Sequence, residues 1–242
     1  MILAAGLGTR LKPITDRIPK ALVEVEGVAM LERVIMTLKK YGFDYIVINV
    51  HHFSEQIRDF LTKKEFGVRI EISDESESLL DTGGGIVKAS DLLFKENEQP
   101  VLIHNVDIIS NANLEKLMEE ANKTGSGILL VTDRESSRKL LFDDNYNLKG
   151  WHNIKSGEYR PKGIESAENL KELAFSGLYV LQKKEVEEMR KIMGEGKYSV
   201  IEYFLHPSRK ENIKGMEVKD IKVLDIGKPA TLSQASELLN AF

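Results

Sequence analysis

The stretch ILAAGLGTRLKPITDRIPKAL runs from Ile2 to Leu22 and decides how the rest of the chain is read. A short apolar run, Met1 to Ala5, has the composition of a buried parallel strand, and two glycines follow it at once. Open parallel sheets bind ligands outside the carboxyl ends of their strands, which is where this loop falls. Gly6 and Gly8 let the backbone approach a phosphate and turn its N–H groups toward it. Arg10 adds a planar fork suited to phosphate oxygens, Lys20 adds a movable point charge, and Pro13 and Pro19 stiffen the segment between them. The set suits a triphosphate whose pyrophosphate end will leave. Two familiar phosphate loops fail on spacing. The Walker pattern needs Gly-Lys-Ser/Thr, whereas Thr9, Arg10 and Leu11 follow Gly8; the dinucleotide fingerprint needs a glycine or alanine where Leu11 stands.

Working outward, Val- and Ile-rich runs alternate with helical patterns, which predicts βα units and a mostly parallel sheet. Leu31, Val34, Ile35 and Leu38 have helical spacing, with Gly42 at the expected end, and a strand spans Tyr45 to Val50. Ser54 is the expected cap of a helix reaching about Lys63. Further strands are expected at Val68 to Ile72, Val101 to His104, Ile128 to Thr132, Leu140 to Phe142 and in LAFSGLYVL from Leu173. Between Ile72 and Val101, SLLDTGGGIVKASDLL passes from a glycine turn into a helix. Helices are expected near Leu114 to Asn122, Glu185 to Met193 and Val200 to Leu205; the last strand, IKVLDIG, precedes a helix opened by Pro229. Residues 145–171 have turn signals at Gly150, Gly157, Pro161 and Gly163 and read as a lid or insertion. Residues 1–242 therefore read as one α/β domain.

Composition narrows the chemistry. The 242 residues are 42% hydrophobic and 30% charged, enough for a sizeable core. No apolar run approaches the roughly 20 residues of a membrane span, and no basic-then-apolar leader opens the chain, so a cytoplasmic protein is expected. With no cysteine, a catalytic metal must be held by oxygen or imidazole. A net charge of -4 argues against a nucleic-acid partner and requires a local basic site for any anionic ligand. His51 and His52 follow a strand, but adjacent residues of an extended segment face opposite ways, which favours a structural role.

The opening stretch resembles the signature of the sugar-1-phosphate nucleotidyltransferases, also called nucleotide-sugar pyrophosphorylases. The likeness continues through LLDTGGGIVKA, HNVDI, FSGLYVL and LDIGKPATL in that family's order. It is greatest to the short bacterial members that make UDP-N-acetylmuramic acid or GDP-mannose. The resemblance implies the nucleotide-diphospho-sugar transferase fold, a single Rossmann-like domain with a mixed, mostly parallel sheet flanked by helices and a sugar-binding insertion around 145–171. It implies Arg10 and Lys20 as catalytic residues, and Leu3, Ala4, Ala5, Gly6, Gly8, Thr9, Thr82, Gly83, Gly84 and Asn105 as nucleotide-binding. Gly177 would lie against the sugar, and Asp107 and Asp225 would hold Mg²⁺. The substrates implied are an NTP, UTP or GTP, and a sugar 1-phosphate.

Relatives carry glycine where this chain has Val106, which narrows the expected space beside Asp107; their Glu-Lys-Pro segment has only EYRPKG as a counterpart, near Arg160 and Lys162. Thr82 also fits a helix cap, and Trp151 fits either stacking on a sugar or packing the insertion. Three alternatives stand beside the main reading. A glycosyltransferase would use an Asp-x-Asp motif, which the chain lacks. A CTP:phosphocholine-type cytidylyltransferase shares most of the signature, and a non-catalytic nucleotide-sugar-binding protein would not need Arg10, Lys20, Asp107 and Asp225 together.

Overall fold

The apolar run at the start forms only two residues of strand, β1 (Ile2–Leu3), yet these lie at the middle of the central sheet. The chain leaves the sheet after Leu3 because the next N–H, that of Ala4, is taken by the Asn49 side chain instead of a ladder partner. The computed structural model describes residues 1–227 and 229–239. From β1 the chain continues through β2 (Glu24–Val25), β3 (Val28–Ala29), α1 (Met30–Lys40), β4 (Tyr45–Val50), α2 (Ser54–Thr62), β5 (Arg69–Asp74) and α3 (Asp81–Leu93). Next come β6 (Val101–Asn105), β7 (Ile108–Ser110), α4 (Leu114–Thr124), β8 (Gly127–Thr132), β9 (Arg138–Phe142), β10 (Leu148–Asn153), β11 (Glu158–Arg160) and β12 (Lys171–Leu181). It closes with α5 (Lys183–Met193), α6 (Val200–Phe204), β13 (Ile213–Glu217), β14 (Val223–Asp225) and α7 (Pro229–Leu239).

Among the described residues, one mixed sheet of ten strands runs β11-β10-β9-β12-β6-β1-β4-β5, with β8 also paired to β12 and β13 paired to β8. The half formed by β6, β1, β4 and β5 is parallel, whereas β12 runs antiparallel to β6, β8 and β9. Strands buried on both faces need apolar residues at every position, which is why β4 reads YIVINV without alternation. Ile46, Ile48 and Val50 face a core shared with Leu31, Ile35 and Leu38 of α1 and Leu114 and Leu117 of α4. Val47 faces the opposite core, with Ile86 and Val87 of α3 and Met189 of α5. A smaller cluster joins Leu11 of the opening loop to Leu224 and Ile226 of the C-terminal region.

Four details differ from the sequence reading. Ser54 is the first helical residue of α2, not its cap; Phe53 precedes it at φ 55° and the Ser54 hydroxyl accepts from Ser76. The glycines of DTGGG lie within α3 and not in a turn before it. A Cβ at Gly83 would come within 2.3 Å of Tyr198 Cε2, and one at Gly84 within 2.2 Å of the Gly196 carbonyl. Smallness is needed there so that the helix can pack against residues 196–198. Part of the segment 145–171 is regular, since β10 pairs with both β9 and β11 and so carries the sheet outward. The short strands β7 and β13 were not expected from the sequence, and β7 pairs antiparallel with β14.

Candidate active site

The β7–β14 ribbon is what joins the two distant aspartates. Its register sets Asp225 opposite Ile108, one residue after Asp107, and the Ile226 N–H donates to the Asp107 carbonyl at 2.8 Å. Gly227 then lies among the charged groups. A Cβ on Gly227 would be 2.5 Å from Arg10 Nη2, 2.6 Å from Asp225 Oδ1 and 3.1 Å from Asp107 Oδ2. Arg10, Asp107 and Asp225 thus meet in a space that only glycine leaves open. Each carboxylate faces a cation. Lys20 pairs with Asp107, both side chains little exposed at 12% and 13%, and Arg10 Nη1 stands 3.7 Å from Asp225 Oδ2 in a more open position.

The opening loop gains its shape from packing. Gly8 is left-handed at φ 64°, and a Cβ there would lie 2.8 Å from Thr15 Cγ2 and 2.9 Å from Lys20 Cβ. The buried Thr15 hydroxyl donates to the Gly8 carbonyl at 2.8 Å, and the Leu11 N–H donates to the same carbonyl at 2.8 Å. The loop therefore curls back on itself and brings Lys20 under Gly8. Gly6 differs: among the described residues nothing lies within 4 Å of its Cβ position, so the backbone there is open to a ligand.

A cleft of about 350 Å³ lies at these strand ends and is bordered by Leu3, Ala5, Gly6, Gly8, Thr9, Lys20, Thr82, Asn105 and Asp107. Leu7, Asn49, Leu79, Asp81, Val106 and Lys197 border it too, and sequence reasoning did not single them out as binding residues. Most lack a motif. Asn49 had one available signal, a polar residue in an otherwise apolar buried strand. Val106 borders the cleft, but its side chain is buried at 4% exposure with Ile108 and Ala112, and its N–H continues the ladder to the Leu3 carbonyl.

Three expected nucleotide residues are not on the cleft wall. Ala4 is buried with its N–H on Asn49. The Gly83 and Gly84 N–H groups point at the Tyr198 carbonyl, at 2.9 and 3.4 Å, because α3 packs there, so they are not free to meet a base. Thr82 does border the cleft, yet it does not cap its own helix; its hydroxyl accepts from the Val200 N–H at 2.9 Å and so holds the start of α6. Gly177 sits at φ 73° in a register shift of β12, where a Cβ would come 2.8 Å from Asn105 Nδ2. It touches the cleft through Asn105.

A second cavity of about 480 Å³ is separate in its lining from the first. Lys197 borders the first, while Phe175 of β12 and Ser199 border the second. Its walls carry Trp151, with the Arg160 guanidinium over the ring at 5.0 Å, together with Arg138, Glu158 and Glu202. Arg134, which no motif announced, donates to the Phe175 carbonyl at 3.0 Å; burial lowers its pKa while the nearby Asp225 raises it. Of the paired histidines, His51 Nδ1 meets the Glu75 carbonyl at 2.6 Å and His52 stacks against Phe53. Both contacts are structural.

The two aspartates beside Gly227 form a hard-oxygen donor set, which fits a magnesium ion completed by phosphate oxygens and water. Among the described residues no cluster of three or more acidic or histidine side chains competes with them.

Fold and site together define an α/β protein with a glycine-rich basic loop and a two-aspartate cluster at the carboxyl ends of its parallel strands. The chain belongs to the Nucleotidyl transferase family, whose model matches residues 1–241. It is similar to N-acetylmuramate alpha-1-phosphate uridylyltransferase of Caulobacter vibrioides, 44% identical over 112 residues that cover 45% of each chain. It is also similar to mannose-1-phosphate guanylyltransferase 1 of Arabidopsis thaliana, 29% identical over 75% of this chain and 58% of that one. The matches span about half the length of these curated relatives. Among solved structures, HddC from Yersinia pseudotuberculosis superposes with a TM-score of 0.77 at 24% identity, covering 98% of this chain and 97% of the other. A putative glucose-1-phosphate thymidylyltransferase from Bacillus anthracis superposes at 0.78 and 18% identity, over 100% and 94%. These likenesses bear out the fold expected from the sequence.

Proposed function

We propose that the chain is a Mg²⁺-dependent nucleotidyltransferase that moves a nucleoside monophosphate from UTP or GTP to a sugar 1-phosphate, giving an NDP-sugar and pyrophosphate. The observation that carries this reading is the meeting of Arg10, Asp107 and Asp225 around Gly227, with Lys20 on Asp107. Binding alone would not require two carboxylates and two cations at one point. Residues 1–242 act as one domain in this reading, with 145–171 as the acceptor-side insertion. Its NTP substrate assigns the enzyme to the cytoplasm.

The step forms a bond from an acceptor phosphate oxygen to the α-phosphorus and breaks the bond from that phosphorus to the oxygen bridging to the β-phosphate. No general base is needed, because a phosphate monoester with a second pKa near about 6 is already mostly dianionic at neutral pH. The protein must instead align two anions and neutralise the charge that builds on the leaving pyrophosphate. Open backbone at Gly6 and the Arg10 guanidinium grip the leaving end, and Lys20 turns from Asp107 to phosphate oxygens near the attacking group. Asp107 and Asp225 would hold magnesium, which would supply further charge neutralisation when bound. Asn105 and Gly177 meet the junction of nucleotide and sugar phosphate, and the second cavity, with Trp151 on its wall, takes the sugar. The curated relative named for N-acetylmuramate 1-phosphate supports an amino-sugar acid acceptor, and the Arg138 and Arg160 cations in that cavity suit its carboxylate.

The test is a matrix of four NTPs against sugar 1-phosphates, with phosphocholine as a separate arm, read by pyrophosphate release in Mg²⁺. UTP or GTP with one sugar 1-phosphate is the expected productive pair, and Arg10→Ala should lower the saturated rate more than it weakens sugar binding. Turnover only with CTP and phosphocholine, or binding without any pyrophosphate release, would overturn the reading.

A further inference from the structure

Behind the nucleotide cleft lies a buried carboxylate that the reaction scheme does not use. Glu75, just past the end of β5, has no exposed surface. Its Oε1 accepts from Asn49 Nδ2 at 2.7 Å, and its Oε2 accepts from the Leu80 N–H at 3.1 Å. Asn49 is itself 2% exposed, and its Oδ1 accepts from the Ala4 N–H at 2.7 Å. The Glu75 main chain is held as well, donating to the Val50 carbonyl at 2.8 Å and meeting His51 Nδ1 through its own carbonyl. Gly85 of α3 lies against the carboxylate, where a Cβ would approach Oε1 to 2.6 Å and Asn49 Nδ2 to 2.9 Å.

The two ends of this chain of bonds belong to two segments that both border one cleft. Ala4 precedes Ala5 and Gly6 of the phosphate loop, and Leu80 lies between Leu79 and Asp81 at the start of α3, all four flanking residues bordering the cleft. The Asn49 and Glu75 side chains bridge these segments outside the sheet ladder, with Asn49 itself bordering the cleft and Glu75 buried beyond it. We infer that Glu75 is a positioning residue for the nucleotide: through Asn49 it fixes the separation between the phosphate loop and the amino-terminal end of α3. This rests on the cleft being the NTP site of the reaction proposed above.

The bond pattern gives the inference a specific signature. The Asn49 amide is committed, oxygen to Ala4 and nitrogen to Glu75. Replacing Glu75 by glutamine leaves one acceptor oxygen for two donors, so either the Leu80 or, after an Asn49 flip, the Ala4 N–H is buried unpaired. Adding Asn49→Asp to the same protein restores every bond: the new carboxylate accepts from the Ala4 N–H and from the glutamine amide, whose oxygen accepts from Leu80. A wall displaced by an unpaired N–H should weaken the nucleotide and leave the acceptor cavity in place.

The experiment measures KM for NTP and for the acceptor by pyrophosphate release, equilibrium binding of the same NTP, and thermal unfolding, for wild type, Glu75→Gln, Asn49→Asp and the double variant. Asn49→Ser is added as a single change that releases Ala4 while leaving Glu75 bonded to α3. The expected result is an NTP KM raised about tenfold in each single variant, an acceptor KM within about twofold of wild type, and recovery of most of the loss in the double variant. Unchanged NTP KM in the folded single variants, an equal rise in both KM values, or a double variant no better than Glu75→Gln would each overturn the inference. A wild-type protein that neither binds nor turns over any NTP would overturn the functional reading itself and this inference with it.

Discussion

Gly227 shows how one missing side chain makes a site. Its Cβ position is occupied by the reach of Arg10, Asp225 and Asp107, so Gly227→Ala pushes apart the groups that should converge on phosphate. Pyrophosphate release should fall at least about tenfold with little change in the unfolding midpoint, because Gly227 needs no left-handed backbone. A full rate would show that the convergence is not required. Lys20 poses a different test. It shares a little-exposed pair with Asp107, and removing one member of such a pair leaves an uncompensated charge at a cost of up to about 3 kcal/mol. Lys20→Met should therefore lower stability while freeing Asp107 for cations, so that Mn²⁺ binding to nucleotide-free protein, followed by calorimetry, becomes tighter. The family resemblance singled out Asp107 and Asp225 in NVD and LDIG, but their pairing with Lys20 and Arg10 was not legible, since no local spacing encodes a contact across the sheet.

At the level of elements, glycine-rich segments proved the hardest to read. DTGGG looks like a turn leading into a helix, yet it lies inside α3, and FSGLY, expected within a strand, makes a register shift in β12. In each case the glycine answers to a neighbour that is remote in sequence, Tyr198 and Gly196 for α3, Asn105 for β12. The start of α5 gives an element-scale prediction with a pH sign. Glu185 is fully buried, accepts from the Gly127 N–H at 3.0 Å and from the Gln182 N–H, and burial raises its pKa from the usual 4.5 to about 7. The folded chain thus holds this proton more tightly than the unfolded one. The stabilisation is complete below about pH 4.5 and is lost as pH rises through about 7, on the order of 3 kcal/mol. Chemical denaturation of Glu185→Gln should lack that component of the pH dependence, and an identical profile in the variant and wild type would remove Glu185 as its source.

For the molecule as a whole, the cation–carboxylate pairs predict coupled binding. Metal alone must displace Lys20 and Arg10, and nucleotide alone must draw them away from Asp107 and Asp225; bound together, each ligand offsets the charge the other uncovers. At ligand near about 100 times Kd, binding adds about 2.7 kcal/mol, roughly 5–10 °C for a chain of this size. The midpoint shift with Mg²⁺ and NTP together should exceed the sum of the two separate shifts, and simple additivity would count against the coupling. The sequence by itself determined the βα order, the parallel half of the sheet and the glycine-bearing loop after β1, because apolar runs, helical spacing and a Gly-x-Gly turn are local consequences of burial and backbone freedom. Tertiary structure alone decided that Asp107 meets Asp225 through the β7–β14 ribbon, and that Glu75 bonds Asn49 beside the cleft. It also decided that Gly83 and Gly84 serve packing. These depend on which distant segments share a hydrogen-bond ladder or a van der Waals contact, and such partners are chosen only when the whole core closes.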